Sequence, residues 1–373
     1  MTTTLQLLVL QSQPFRAQNL YRCLSTATTR RQLHLSHRLF QASYSFLQAQ
    51  AEQQNESDMA AMPSATRKPQ KVLGLDESRA QMRQNFGGKT GKDYHDGWEA
   101  MWQAGDFLPW DRMVPSPALS DTLDNHTHVV GTAKLVLSDG TTRRKRALVP
   151  GCGRGVDVML LQAYGYDVVG LEYSPTAVEA CERYANETES EALYQARDAK
   201  LGKGSRVFVQ GDFYADDWLE RAGISKKEGV FELIYDYTVS SVPPHIRVSL
   251  LTSAQFFCAM HISMRPAWAK RMSTLLAPNP QANLITLQFP TDKPASSGGP
   301  PWSSPPKAYM EHLSHPGQEI PYNENGEVRV QPFADSGPGA LERVGHWQPG
   351  DTHQIGKDEQ GKVKDYIGIW RHR

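Results

Sequence analysis

A chain of 373 residues, 39% hydrophobic and with a formal net charge of zero, is long enough for one large or two ordinary domains with a buried core. It lacks the basic excess through which nucleic acid is attracted irrespective of base sequence. Cys23, Cys152, Cys181 and Cys258 share no C-x-x-C spacing, the histidines form no H-E-x-x-H, and the longest apolar run, near Leu5–Leu10, is far too short to cross a bilayer. The expectation is chemistry on a small molecule, with reduced thiols, no metal, no nucleic acid and no membrane.

Residues 1–51 contain no Asp or Glu, while Arg16, Arg22, Arg30, Arg31 and Arg38 stand among Ser, Thr, Gln and Leu. That is the composition of an organellar transit peptide. A disordered tail, or an untranslated stretch ahead of Met59 or Met62, is the competing reading. A linker runs on to about Lys92, so residues 1–92 are assigned to an extension and 93–373 to the ordered domain. The expected location is cytoplasmic, or mitochondrial where the extension is translated and acts as a transit peptide.

In "DGWEAMWQAGDFLPWDRMVPSPAL", Trp98 and Trp102 lie four apart, on one helical face, and Trp110 follows in a Pro-bounded loop. Core packing would use such a cluster, and so would a lid closing its aromatic faces over a cationic or planar ligand.

"RKRALVP" reads as a short strand, followed at once by Gly151, Gly153 and Gly155 and then by Val156, Met159, Leu160 and Tyr164 at helical spacing. Glycines there let the backbone bend sharply and let a ligand approach the main chain. No G-K-[ST] follows, which excludes a phosphate-binding Walker loop. The dinucleotide pattern G-x-G-x-x-G needs glycine where Val156 stands. The next strand, "DVVGLE", ends in Glu172, about twenty residues past the glycines, where a carboxylate can accept both ribose hydroxyls. Ser174 and Pro175 then open a helix as N-cap and first-turn residue. A nucleoside carrying an amino-acid tail fits this better than NAD; an ordinary βαβ unit with a structural acid is the alternative.

"RVFVQGDF" supplies a third strand ending at Asp212 and Phe213, and "GVFELIYDYT" a fourth ending at Asp236 and Tyr237. "RPAWAKRMSTLL" reads as a helix and "ANLITLQF" as a fifth strand. "ALERVGHWQPGDTHQIGKD" and "VKDYIGIWRHR" hold two late strand candidates that could pair as an antiparallel hairpin. A ligand on an open parallel sheet sits beyond the carboxyl ends of its strands, which gathers Gly151, Glu172, Asp212 and Tyr237. Asp212 could accept from an adenine amino group with Phe213 against the ring, or simply cap a turn.

Taken jointly, "WEAMWQAGDFLPWD", "VPGCGRGVDV", "GLEYS", "GDF", "YDYT" and "MRPAWAKRM" resemble the thiopurine methyltransferase superfamily, most of all its plant and fungal thiol, halide or thiocyanate methyltransferase branch. The resemblance runs from Trp98 onward. It implies an α/β fold of the Rossmann-like class I S-adenosylmethionine-dependent methyltransferases, with a seven-stranded, mostly parallel sheet, helices on both faces and the tryptophan segment as a cover. Trp98, Trp102, Trp110, Gly151, Gly153, Glu172, Asp212, Phe213 and Tyr237 match its cofactor-contacting positions. The spacing before Trp110 is one residue longer than the usual pattern, and many members carry Asp at the position of Glu172. The implied activity is in-line methyl transfer by a monomer to a small thiol, sulfide, thiocyanate or halide. Arg265 matches a family arginine and would stabilise an anionic nucleophile as a catalytic residue; an exposed arginine at a helix start is the alternative.

One departure from the family pattern stands out. "VSSVPPHIRVSLLTSAQ", residues 239–255, separates Thr238 from Phe256, where the family runs directly from one to the other. A translated intron accounts for it: Val239–Ser240 can be encoded by GTAAGT, a splice donor, and Gln255 by CAG, which ends an acceptor. Removing the 17 residues keeps the reading frame. The alternatives are a substrate-side lid and a cofactor-binding homologue made inactive by the interruption.

Overall fold

Alternation along short apolar runs builds the sheet. The strands are β1 (Lys134–Val136), β2 (Thr142–Arg144), β3 (Arg146–Pro150), β4 (Asp167–Glu172), β5 (Arg206–Gln210), β6 (Leu233–Asp236), β7 (Asn283–Gln288), β8 (Leu341–Trp347) and β9 (Tyr366–His372). Leu148, Val169, Ile234, Leu284 and Trp370 enter one apolar cluster, while their neighbours Val149, Val168, Tyr235, Ile285 and Ile369 enter another. Successive strand side chains point to opposite faces, so β3, β4, β6, β7 and β9 each feed two cores. These strands are buried on both sides, as parallel strands between helical layers are.

The computed structural model describes residues 70–373, apart from 72, 74, 88, 90, 112, 238–255 and 330–335. The extension up to residue 69, with its acid-free first 51 residues, and the interruption at 239–255 therefore lie outside the described residues. The helices are α1 (Leu75–Phe86), α2 (Gly91–Ala104), α3 (Pro117–Asn125), α4 (Thr127–Val130), α5 (Val156–Ala163), α6 (Pro175–Thr188), α7 (Asp217–Arg221), α8 (Phe256–Ala259), α9 (Arg265–Leu275) and α10 (Pro306–Ser314). Helices α3, α5 and α6 pack with Val149 and Tyr235; α7, α9 and α10 pack with Leu148 and Ile234.

Seven strands form one sheet in the order β5-β4-β3-β6-β7-β9-β8. Strands β3 to β7 run parallel, with Leu148 opposite Val169 on one side and Ile234 on the other; β9 is antiparallel to β7 and β8. The order reverses beside β3, whose neighbours are β4 and β6. Loops leave that point in opposite directions and open a crevice at the carboxyl ends of the strands, where ligands of such sheets bind. A separate two-stranded hairpin, β1 with β2, precedes the sheet.

The ordered domain starts before residue 93, which corrects the boundary set from sequence. In α1, Met82 and Phe86 are 1% and 3% exposed. The Phe86 ring lies 5.0 Å from Tyr94 and 4.2 Å from Trp98. The polar run "LDESRAQMRQNF" concealed this helix, because its only large apolar residues are Leu75, Met82 and Phe86, spaced i, i+7 and i+11.

Candidate cofactor and active site

After β3 the chain turns through Gly151, Gly153 and Gly155 at φ of 61°, 55° and 79° and enters α5. These left-handed conformations favour glycine. At Gly155 there is a second constraint, since a Cβ would lie 2.5 Å from the Phe208 ring. The turn is then fastened to β4: Glu172 Oε2 accepts the Gly153 N–H at 3.0 Å, and Oε1 accepts the N–H groups of Tyr173 and Ser174 at 2.9 and 3.2 Å. Burial pushes the Glu172 carboxyl above its ordinary pKa, with these three donors opposing the shift. Ser174 caps α6 by accepting the Ala177 N–H at 2.9 Å.

Above this turn lies a cleft of about 810 Å³, open at its mouth. Trp98, Trp102, Trp110, Gly151, Gly153, Glu172 and Phe213, all selected from sequence, line it together. Trp110 stands edge-on to both other tryptophans, at centroid distances of 5.1 Å to Trp98 and 6.1 Å to Trp102. The loop carrying Trp110 is tied down by Asp111, whose oxygens each accept Arg154 Nε at 2.9 Å. The Arg154 guanidinium in turn sits 5.5 Å over the Trp102 ring.

Three selected residues stand away from the cleft wall. Asp212, half-buried, accepts the Tyr214 N–H at 3.0 Å and caps a turn; its charge reaches His95, which does line the cleft. Tyr237 is 2% exposed and lies parallel to His353 at 6.0 Å. Arg265 is not the exposed helix-start residue of the alternative reading, and it stands behind the cleft rather than in its wall. It is 0% exposed, lies 4.1 Å over the Phe257 ring, and donates to Ser303 O at 2.8 Å and Tyr322 Oη at 3.2 Å. Phe257 faces it, while the adjacent Phe256 and nearby Met260 face the cleft.

Wall residues that the sequence reading passed over include Tyr94, His95, Tyr173, Tyr214, Met260 and Met264. Tyr94 was discoverable, four residues before Trp98 on the same helical face. Nothing in the local pattern distinguishes the two methionines from core residues. Behind the wall, Asp236 at the end of β6 accepts Trp268 Nε1–H at 2.9 Å and the Phe257 N–H, and burial pushes its pKa up to about 7.

Sheet order, glycine turn, acidic strand end and aromatic cleft together define the class, a Rossmann-like class I methyltransferase dependent on S-adenosylmethionine. The residues present fit that cofactor: glycines allow close approach, a carboxylate ends β4, and tryptophan faces suit a sulfonium cation. Residues 94–338 match the family model described as thiopurine S-methyltransferase. The chain is 33% identical over 256 residues to a probable thiol methyltransferase 2 of Arabidopsis thaliana, covering 69% of this chain and 86% of that protein. It is 31% identical over 255 residues to thiocyanate methyltransferase 1 of Brassica oleracea, covering 68% and 84%. With a thiopurine S-methyltransferase of Pseudomonas paraeruginosa the identity is 27% over 185 residues, covering 49% and 71%. The chain belongs to the thiopurine S-methyltransferase family and is an S-adenosylmethionine-dependent S-methyltransferase.

Proposed function

We propose that the methyl acceptor is a small thiol or a soft anion such as sulfide, thiocyanate or a halide, alkylated by in-line displacement. The observation that carries this reading is the state of Glu172. Among the described residues lining the cleft it is the carboxylate, and it already accepts three backbone N–H groups. An acceptor that needs a strong general base is poorly served by such a wall. A thiol, with a pKa of about 8.5, needs only a weak base, and a halide or thiocyanate needs no base at all.

S-adenosylmethionine supplies an activated methyl group on a good leaving group. The protein's part is to bind, align and exclude water. In this reading Gly151 and Gly153 present backbone to the amino-acid tail, Glu172 uses its remaining acceptor capacity on the ribose, Phe213 packs the base and the tryptophans cover the sulfonium. His95, held neutral by burial, accepts the proton of a thiol acceptor. Arg265 acts without contact: among the described residues no carboxylate lies within ion-pair distance of it, and its field favours an anion in the cleft. The neutral net charge offers no sequence-independent attraction to nucleic acid, in keeping with a small-molecule acceptor.

Incubation with labelled S-adenosylmethionine and a panel of thiols, sulfide, thiocyanate and iodide tests this. Turnover of at least one acceptor is expected; cofactor binding without turnover of any would favour the second reading, an inactive homologue. Against that second reading, the chain ends flanking residues 238–255 already meet, since Asp236 accepts the Phe257 N–H. Deletion of 239–255, joining Thr238 to Phe256, should therefore leave folding and binding of S-adenosylhomocysteine intact.

A further inference from the structure

Helix α2 carries Trp98 and Trp102 over the cleft, yet between them it also carries Glu99, whose bonds leave the helix for the start of α6. Glu99 accepts the Thr176 hydroxyl at 2.7 Å, the Thr176 N–H at 3.4 Å and the Ser174 hydroxyl. Within α2 it takes one more bond, from Gln103 at 2.7 Å. A carboxylate at the first turn of a helix meets unpaired N–H groups and the positive end of the dipole. Burial opposes its ionisation, but the hydroxyl and N–H donors prevail and hold the carboxyl below its ordinary pKa.

Ser174 links this contact to the cofactor site. Its N–H goes to Glu172 Oε1 at 3.2 Å, its hydroxyl to Glu99. The two carboxylates therefore pull on the same residue from opposite sides, and the charge of Glu99 registers at Glu172. Beside it, Trp102 packs with Ala177 and Ala180 of α6 in one apolar cluster. Glu99 precedes Trp102 by three residues, so the two share a helical face. Two other hydrogen bonds from α2 to neighbouring elements, Tyr94 Oη to Ala259 O and Tyr173 Oη to Asp96 Oδ1 at 3.3 Å, lie N-terminal to both Glu99 and the tryptophans.

We propose that Glu99 is a positioning residue that latches the aromatic roof to the Glu172–Ser174 segment, so that roof and ribose-facing carboxylate are held in one arrangement ready for the cofactor. Without the latch, α2 stays folded through its apolar face but no longer keeps Trp98 and Trp102 in register with Glu172. Cofactor binding then has to order the roof, and affinity falls.

The test uses the full chain and the variants Glu99→Ala, Glu99→Gln and Thr176→Val. The first readout is amide hydrogen exchange of the cofactor-free protein. Exchange in α2 should quicken by about tenfold in Glu99→Ala, the loss of charge-assisted bonds, while β3 and β6 keep their protection. The second is calorimetry with S-adenosylhomocysteine, in which Glu99→Ala should bind about tenfold more weakly and Glu99→Gln, which keeps an acceptor oxygen, less so. The third is kinetic: KM for S-adenosylmethionine should rise with kcat largely retained. Combining Glu99→Ala with Thr176→Val should cost less than the two singles added, because they remove the same bond. Unchanged exchange in α2 with unchanged affinity overturns the proposal. Equal loss of protection across the sheet also overturns it, because it marks a merely structural role. Should Glu99→Ala fail to fold, Glu99→Gln and Thr176→Val carry the same comparison. The exchange measurement involves neither cofactor nor acceptor, so its failure is distinct from failure of the thiol reading.

Discussion

The Arg154 guanidinium of the glycine turn and the Asp111 carboxylate beside Trp110 form a pair buried to 7% and 4% exposure, each carboxylate oxygen 2.9 Å from Nε. This pair fastens the aromatic loop to the turn after β3. Removing one partner strands a charge in low dielectric, which costs about 3–5 kcal/mol, whereas replacing both with apolar side chains can be close to neutral. Urea unfolding of Asp111→Ala should show a loss of that order, and Asp111→Leu with Arg154→Met should recover most of it. Additive losses in the double variant would mean that the two side chains act independently.

Tryptophan faces distinguish a cation from its neutral product. Trp98→Leu should weaken binding of S-adenosylmethionine more than that of S-adenosylhomocysteine, by a factor of about 2 to 30, the range that a cation–π contact of roughly 0.5–2 kcal/mol allows. Calorimetric titration of both ligands checks this. An equal loss for the two would leave the ring as an apolar wall only.

His95 should matter to some acceptors and not to others. With its imidazole kept neutral by burial, His95→Asn should slow methylation of thiols by about 10²-fold, within the range of general-base effects. Methylation of iodide, which has no proton to lose, should change little. Steady-state rates with both acceptors decide it, and a parallel loss would remove His95 from proton transfer.

The contribution of Asp157 and Asp236 to stability should fall as pH rises from about 4 to about 7. Burial pushes Asp157 and Asp236 each up to about 7 in the folded protein, from 3.8. Below both values the groups are protonated folded and unfolded alike; between them the folded state holds more protons, so stability is lost as pH rises through that window. Asp157→Asn can still accept the Ser116 N–H, which the carboxylate takes at 2.8 Å. At pH 8 it should exceed the wild type by a few kcal/mol, at roughly 1.4 kcal/mol for each tenfold change in proton affinity, and near pH 4 it should match it. A pH-independent difference in urea midpoint would contradict this.

Much of the fold was legible because strands and turns are local. Leu148 beside Val149 and Ile234 beside Tyr235 already showed runs suited to burial on both faces, and the three glycines with Glu172 marked the turn. The tryptophan cluster pointed to the cleft wall, which Trp98, Trp102 and Trp110 do line. What stayed hidden depends on tertiary partners. Arg265 looks like a surface residue until Phe257 and Tyr322 surround it; that Oδ1 of Asp212 accepts the Tyr214 N–H is equally invisible in the sequence. Arg154 and Asp111 are 43 positions apart, and no spacing rule joins them.

The place of β9 between β7 and β8 reaches into biosynthesis. β8 leaves the ribosome first, yet it has no neighbour in the sheet until β9 follows it and slots in, so the apolar flank of β7 stays open until β9 has been made. A nonsense codon ahead of Tyr366 would orphan β8 as well as delete β9. Such messages should yield protein that chaperones retain and proteases clear, however complete the cofactor-binding half has become.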